Sequence, residues 1–168
     1  AFVIADQDER RALITAGLQK TAKELGGQVW HNADLLEEIN YLVEYPTPLY
    51  GRIDEEFLDL PVPAVVTPMR DHQRYYPVRK EDGSLMPYFL TVRNGGDRAI
   101  RNVQIGNERV LRARLDDAKF FFDGDRRKSL EGHREALSRI NYQEGMGTML
   151  DKSERLVKLV EAIGEDWN

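Results

Sequence analysis

The sequence has 168 residues, 41% of them hydrophobic, with no cysteine and a formal net charge of −5. That length supports one compact domain, or one domain with a helical appendage. The lack of cysteine excludes disulfides, thiolate metal sites and cysteine nucleophiles, and it fits a reducing, cytosolic setting, so a cytoplasmic location is expected.

In chain order, Phe2-Val3-Ile4-Ala5 reads as a short strand before a helix that Asp6 caps, with Glu9 three residues on as in a capping box. Leu13, Ile14, Leu18, Ala22 and Leu25 recur at helical spacing, and Gly26-Gly27 supplies a stop, which predicts a first helix over about 7–25. A second helix opens near Ala33-Asp34, carries Leu35, Leu36, Ile39, Leu42 and Val43 on one side, and ends before Pro46 and Pro48. Leu49 to Ile53 reads as a short strand, Asp54 to Leu58 as a helical turn. Pro61 and Pro63 suit a first helical turn, whereas Pro68 has no obvious place in one.

The clearest beta signal is a hairpin between Arg74 and Val92. Tyr75-Tyr76-Pro77-Val78 and Tyr88-Phe89-Leu90-Thr91-Val92 flank Glu81-Asp82-Gly83-Ser84, whose Asp-Gly pair suits a tight turn. Asn94-Gly95-Gly96 breaks the second strand. After Gly106-Asn107 the strongest helix carries Leu111, Leu115, Ala118 and Phe122 along one seam, with Gly124 as its expected end. A helix around Leu130 to Ile140 and a last one from Thr148 to Ile163 complete the chain. No apolar run approaches the roughly 18 to 20 residues that span a bilayer, so no membrane span is expected. Ala1 in place of a methionine, and a last helix that stops abruptly near Asn168, read as ends cut from a longer protein.

Few residues suggest chemistry. His31, His72 and His133 are scattered, without the spacing that puts two ligands on one helix face, so no metal site is expected. Asn94-Gly95-Gly96-Asp97 lacks the spacing and the lysine of a phosphate-binding loop. Ser84 and Ser129 occupy a turn and a helix start, and Asp116-Asp117 point about 100° apart on a helix, so no catalytic residue is expected. Charge is uneven, however. Residues 1–69 hold 5 Lys and Arg against 12 Asp and Glu, residues 70–128 hold 14 against 9, and residues 129–168 hold 5 against 8. A basic middle third can mark a phosphate-facing surface or merely a solvated face. Within it, Met69 to Tyr76 sets arginines beside aromatics, a combination that can pair with phosphates and stack on bases.

Read in order, Leu42-Val43-Glu44-Tyr45-Pro46, the run from Val65 to Val78, Pro87 to Gly95, Gly106 to Leu130 and Gly147 to Leu156 resemble the beta subunit of the bacterial heterotetrameric glycyl-tRNA synthetase. The block LRARLDDAKFFF is the most specific of these, and together they span nearly the whole chain. Pro68 and Met146 depart from the family's usual residues. The resemblance implies an internal, non-catalytic region of that subunit, similar to the B3/B4 domain of the phenylalanyl-tRNA synthetase beta chain. The expected fold is α+β, a small mainly antiparallel sheet with a central hairpin packed by several helices, and a helical C-terminal part. On that pattern residues 1–140 form the B3/B4-like domain and 141–168 a helical segment leading onward. Implied partners are a glycine tRNA, the alpha subunit, which would use ATP and Mg, and the remaining domains of the beta subunit. The expectation for a tRNA-facing surface is Arg70, His72, Arg74, Arg109, Arg112 and Arg114, with a structural ion pair as the alternative for Arg114. The competing reading is a purely architectural module without RNA contact, and the two differ in whether these side chains converge on one exposed face or lie scattered and paired.

Overall fold

The computed structural model describes residues 3–166. It is an α+β fold that divides into two compact units, residues 1–121 and 122–168. The division falls inside the longest helix, and position 140/141 lies within the second unit.

The first unit opens on α1, Gln7–Glu24. Asp6 caps it, its carboxylate accepting the Asp8 and Glu9 amide N–H groups at 2.8 Å each. Those two bonds hold the Asp6 carboxyl below its ordinary range, because they favour the charged form. Residues 3–6 form no strand, and Phe2 lies outside the described residues. Ile4 instead makes a single backbone bond to Glu44. At the other end of α1 the Gly26 N–H reaches Lys23 O and the Gly27 N–H reaches Ala22 O. This is the Schellman arrangement, and it uses the positive φ of 78° at Gly26.

The strands β1 (Gln28–Val29), β2 (Pro46–Arg52), β3 (Tyr76–Arg79) and β4 (Leu85–Asn94) form an antiparallel sheet in the order β1-β3-β4-β2, and the predicted hairpin β3–β4 is its centre. The helix α2, Ala33–Leu42, lies between β1 and β2 in sequence. Side chains alternate across the sheet as the period of two demands. Tyr76, Val78 and Leu90 join Ile14, Leu18 and Ala22 of α1 and Leu35, Ile39 and Val43 from the α2 segment in one core. Tyr75 and Phe89 project to the other face and stack at 4.4 Å with a 14° tilt. Both members of the Tyr75-Tyr76 pair are therefore buried, on opposite sides. Gly51 stands opposite Phe89, and a β-carbon there would lie 2.2 Å from the ring.

The outer edge of β2 offers little to another strand. The Ile53 N–H bonds inward to Pro87 O, and Tyr45 O accepts inward from Gly95, so the alternating residues 46, 48, 50 and 52 face outward. Pro46 and Pro48 have no N–H to offer, and the Arg52 N–H donates to the Glu108 carboxylate at 3.0 Å.

Between β2 and β3 a 3-10 turn, Glu55–Asp59, leads to α3, Val62–Thr67, and then to a π-helical turn, Pro68–His72. Pro68 thus sits where the helix widens, a change that relieves the missing N–H and the ring's clash with the preceding turn. The turn ends at Arg74, with φ 56°, and the Tyr75 N–H closes it on Met69 O at 2.9 Å.

The helix α4, Ile100–Asp125, begins six residues before Gly106 and runs through both Gly106 and Gly124. Each glycine costs a helix only about 1 kcal/mol, which the burial of Leu111 and Leu115 outweighs. Ala99 accepts the first backbone bonds of α4 with a φ of 56°, a region that penalises a β-carbon. Ala99→Gly is expected to raise stability by about 0.5–1 kcal/mol, the relieved strain less the extra chain entropy of glycine. A urea midpoint that falls in this variant would contradict the assigned backbone.

In the second unit the expected helix over 130–140 is a short α5, Leu130–Arg134, followed by a 3-10 turn, Glu135–Arg139. A small hairpin follows, β5 (Asn141–Gln143) and β6 (Gly147–Thr148), whose connection places Gly145 and Gly147 at positive φ. The last helix, α6, Met149–Asp166, opens with a capping box. The Thr148 N–H donates to the Asp151 carboxylate at 2.6 Å, and the Asp151 N–H returns a bond to the Thr148 hydroxyl at 3.2 Å.

Candidate nucleic-acid interface

The six residues expected to face RNA fall on two elements. Arg70 and His72 lie on the π turn and Arg74 just past it, while Arg109, Arg112 and Arg114 lie on α4.

In the first group the guanidinium of Arg70 donates to its neighbour Asp71 at 2.9 Å. Arg74 reaches Glu38 of α2 at 2.9 Å and also bonds the carbonyl of His72 at 3.2 Å. The hollow beside them, about 310 Å³, is lined by Asp34, Glu38 and Asp71, with Arg70 as its only cation among the described residues. Such a lining repels a phosphate. His72 is exposed.

On α4 the Arg112 guanidinium pairs with Asp54 at 2.8 Å, and Lys119 pairs with Glu56 at 2.7 Å. Both contacts tie the helix to the segment after β2, and the Lys119 bond holds the Glu56 carboxyl below its ordinary range. Arg109 and Arg114 are exposed, and among the described residues neither has a carboxylate within 4 Å. The expected alternative for Arg114, an ion pair with Asp116, Asp117 or another carboxylate, does not form among the described residues. At about 100° per residue Arg109 and Arg112 point some 60° apart, whereas Arg114 points about 160° from Arg112. The α4 arginines therefore fan around the helix.

Three of the five arginines are thus engaged with carboxylates. The partners Glu38 and Asp54 are 36 and 58 residues distant in sequence, and no local pattern announces them. Lys119 falls off the leucine seam as Arg112 does, and its partner Glu56 is likewise distant, 63 residues away in sequence. Among the described residues no group of three or more His, Asp or Glu side chains could hold a metal ion, and no helix is long and apolar enough to cross a membrane.

Comparison with known proteins places these features in a family. A family model described as "Glycyl-tRNA synthetase beta subunit" matches residues 1–167. The chain is 47% identical over 167 residues to the glycine–tRNA ligase beta subunit of Halothermothrix orenii, covering 99% of this chain and 24% of that protein. Against the beta subunit of Moorella thermoacetica identity is 50% over 158 residues, 94% of this chain and 23% of the relative. With the Bacillus subtilis beta subunit it is 44% over 161 residues, 96% and 24%. The chain spans about a quarter of the length of the curated relatives it matches.

Proposed function

The chain belongs to the glycyl-tRNA synthetase beta subunit family, and from that premise we propose that it serves as a structural region of a glycine–tRNA ligase beta subunit. In this reading it supports the charging of tRNA with glycine in the cytoplasm without performing the chemistry. Activation of glycine with ATP and Mg falls to the alpha subunit, and residues 1–140 act as a B3/B4-like platform from which 141–168 lead into the rest of the subunit.

The observation that carries this reading is the use made of the arginines. Arg74 fastens the π turn to α2, and Arg112 together with Lys119 fastens α4 to the segment following β2. An arginine committed to a carboxylate gives up part of its capacity to neutralise phosphate, and removing it loosens the fold before it weakens RNA binding. A second reading has one observation in its favour: Arg109 and Arg114 are exposed and have no such partner among the described residues, so they are the cations of this set best able to contact a tRNA backbone.

Binding of a glycine tRNA to the alpha–beta assembly across a salt series separates the two. Arg112→Ala is expected to lower the thermal midpoint and leave the slope of log affinity against log salt unchanged. The paired change Arg109→Ala and Arg114→Ala leaves the slope unchanged in the structural reading. A slope shallower by roughly 0.7–0.9 per lost phosphate contact would establish the second reading.

A further inference from the structure

A hollow in the first unit lies where α1 ends against the edge strand β1. It has a volume of about 580 Å³, within the range of small-ligand sites. We propose that this cavity is a binding site for a ribonucleotide bearing a phosphate, either free or as the terminal nucleotide of an RNA. The assignment goes beyond the structural role above and stands independently of it.

The lining is cationic in a chain whose net charge is −5. Lys23, Arg79 and His31 line the cavity, and Glu81 is the one carboxylate among the described residues of its wall. Among the described residues neither Lys23 nor Arg79 has a carboxylate within 4 Å of its side-chain nitrogens, in contrast to Arg70, Arg74 and Arg112. Arg79 is nonetheless held in place, its guanidinium lying over the Trp30 ring at 5.6 Å. A planar fork of donors, placed over an aromatic ring and without a carboxylate partner among the described residues, is suited to a phosphate.

The backbone adds a donor. Because the Trp30 N–H bonds to Pro77 O, residues 28 and 30 face β3, and Val29 turns its N–H outward along the free edge. Val29 is in the cavity wall. The remaining polar groups match the other parts of a nucleotide. Glu81 can accept from ribose hydroxyls, as acidic residues do in dinucleotide-binding folds, and the Gln19 and Gln28 amides each offer a donor and an acceptor to a base edge. Gly27 is in the cavity wall with its backbone pressed against the core, since a β-carbon there would strike Met86 and Val78.

The stacked Arg79–Trp30 pair provides the readout. In the intact chain carrying Trp167→Phe, so that Trp30 is the sole tryptophan, fluorescence is followed on titration with AMP, adenosine, inorganic phosphate and a short single-stranded oligoribonucleotide ending in a 5′-phosphate. AMP is expected to change the signal saturably and to bind at least tenfold more tightly than adenosine. Arg79→Ala and, separately, Lys23→Ala should each weaken AMP at least fivefold while circular dichroism and thermal midpoint stay near those of the parent. Lys23 guards against the case in which Arg79→Ala disturbs folding. If the oligonucleotide binds more than tenfold tighter than AMP, the source is an RNA end; comparable affinities identify a free nucleotide. Equal binding of AMP and adenosine, no saturable response to AMP or the oligonucleotide, or a Lys23→Ala variant that binds like the parent would overturn the assignment.

Discussion

Phe89→Ala is expected to destabilise the first unit by about 3–5 kcal/mol, the cost of removing a large buried aromatic and leaving the space partly unfilled. Since domains of this size are stable by only about 5–15 kcal/mol, the variant should be partly unfolded at moderate temperature. The size of the effect follows from the seat of the ring. Phe89 is fully buried, stacks on Tyr75 at 4.4 Å, and presses on Gly51 so closely that no β-carbon fits there. Gly51→Ala alone should therefore also destabilise, by about 1–3 kcal/mol through overpacking. Combined, the two changes should cost less than their sum, because the new methyl enters the space the ring vacated. Urea denaturation of the two single variants and the double variant tests all three statements. A loss below about 1 kcal/mol for Phe89→Ala, or strict additivity, would contradict this packing.

Tyr76→Phe should have the opposite sign and raise stability by about 1–3 kcal/mol. The Tyr76 hydroxyl is buried in the α1–α2 core and has no hydrogen-bond partner among the described residues. A buried polar group left unpaired costs about that much, and phenylalanine keeps the ring while removing the group. A decrease instead would reveal a partner such as an internal water. Burial on opposite faces of the sheet raises the pKa values of both adjacent tyrosines, that of Tyr75 from 10.0 to about 12. A phenol whose folded pKa lies above its unfolded value contributes stability that is whole below pH 10 and is lost as pH rises from there through the folded value. Stability should accordingly decline from about pH 10 toward 12, and less steeply in Tyr76→Phe.

Where a periodic signal was long, the fold was legible in advance. The Asp6 cap, the Ile14, Leu18 and Ala22 seam of α1, though not the exposed Leu13, the Gly-Gly stop and the β3–β4 hairpin each rest on local chemistry that the surroundings do not override. The exceptions have physical causes. Two residues of β1 and five in all of β5 and β6 are too few to carry an alternating pattern. The first turn and a half of α4 lies before Gly106, where local propensity argues for a break that burial of Leu111 and Leu115 overrules. The Thr148–Asp151 box is hard to see in the sequence because aspartate stands where the usual signature has glutamate or glutamine. The π turn follows from Pro68, whose awkward fit was visible although its resolution was not. Of the candidate interface, charge alone was legible. That Arg74 meets Glu38 and Arg112 meets Asp54 depends on chain folding over 36 and 58 residues, and the Arg79–Trp30 stack likewise needs β1 laid against β3.

The outer edge of β2 has a bearing on how chains of this kind meet one another. At its four outward positions, prolines 46 and 48 have no N–H, the Arg52 N–H is taken by Glu108, and Tyr50 alone retains a donor for an arriving strand. A partly folded copy that collides with this side of the sheet therefore cannot zip onto it, since a ladder needs a donor at every second residue. Crowded, newly made chains are thereby steered away from fibre-like growth along this edge. Restoring donors at positions 46 and 48 would turn a blunt margin into a template.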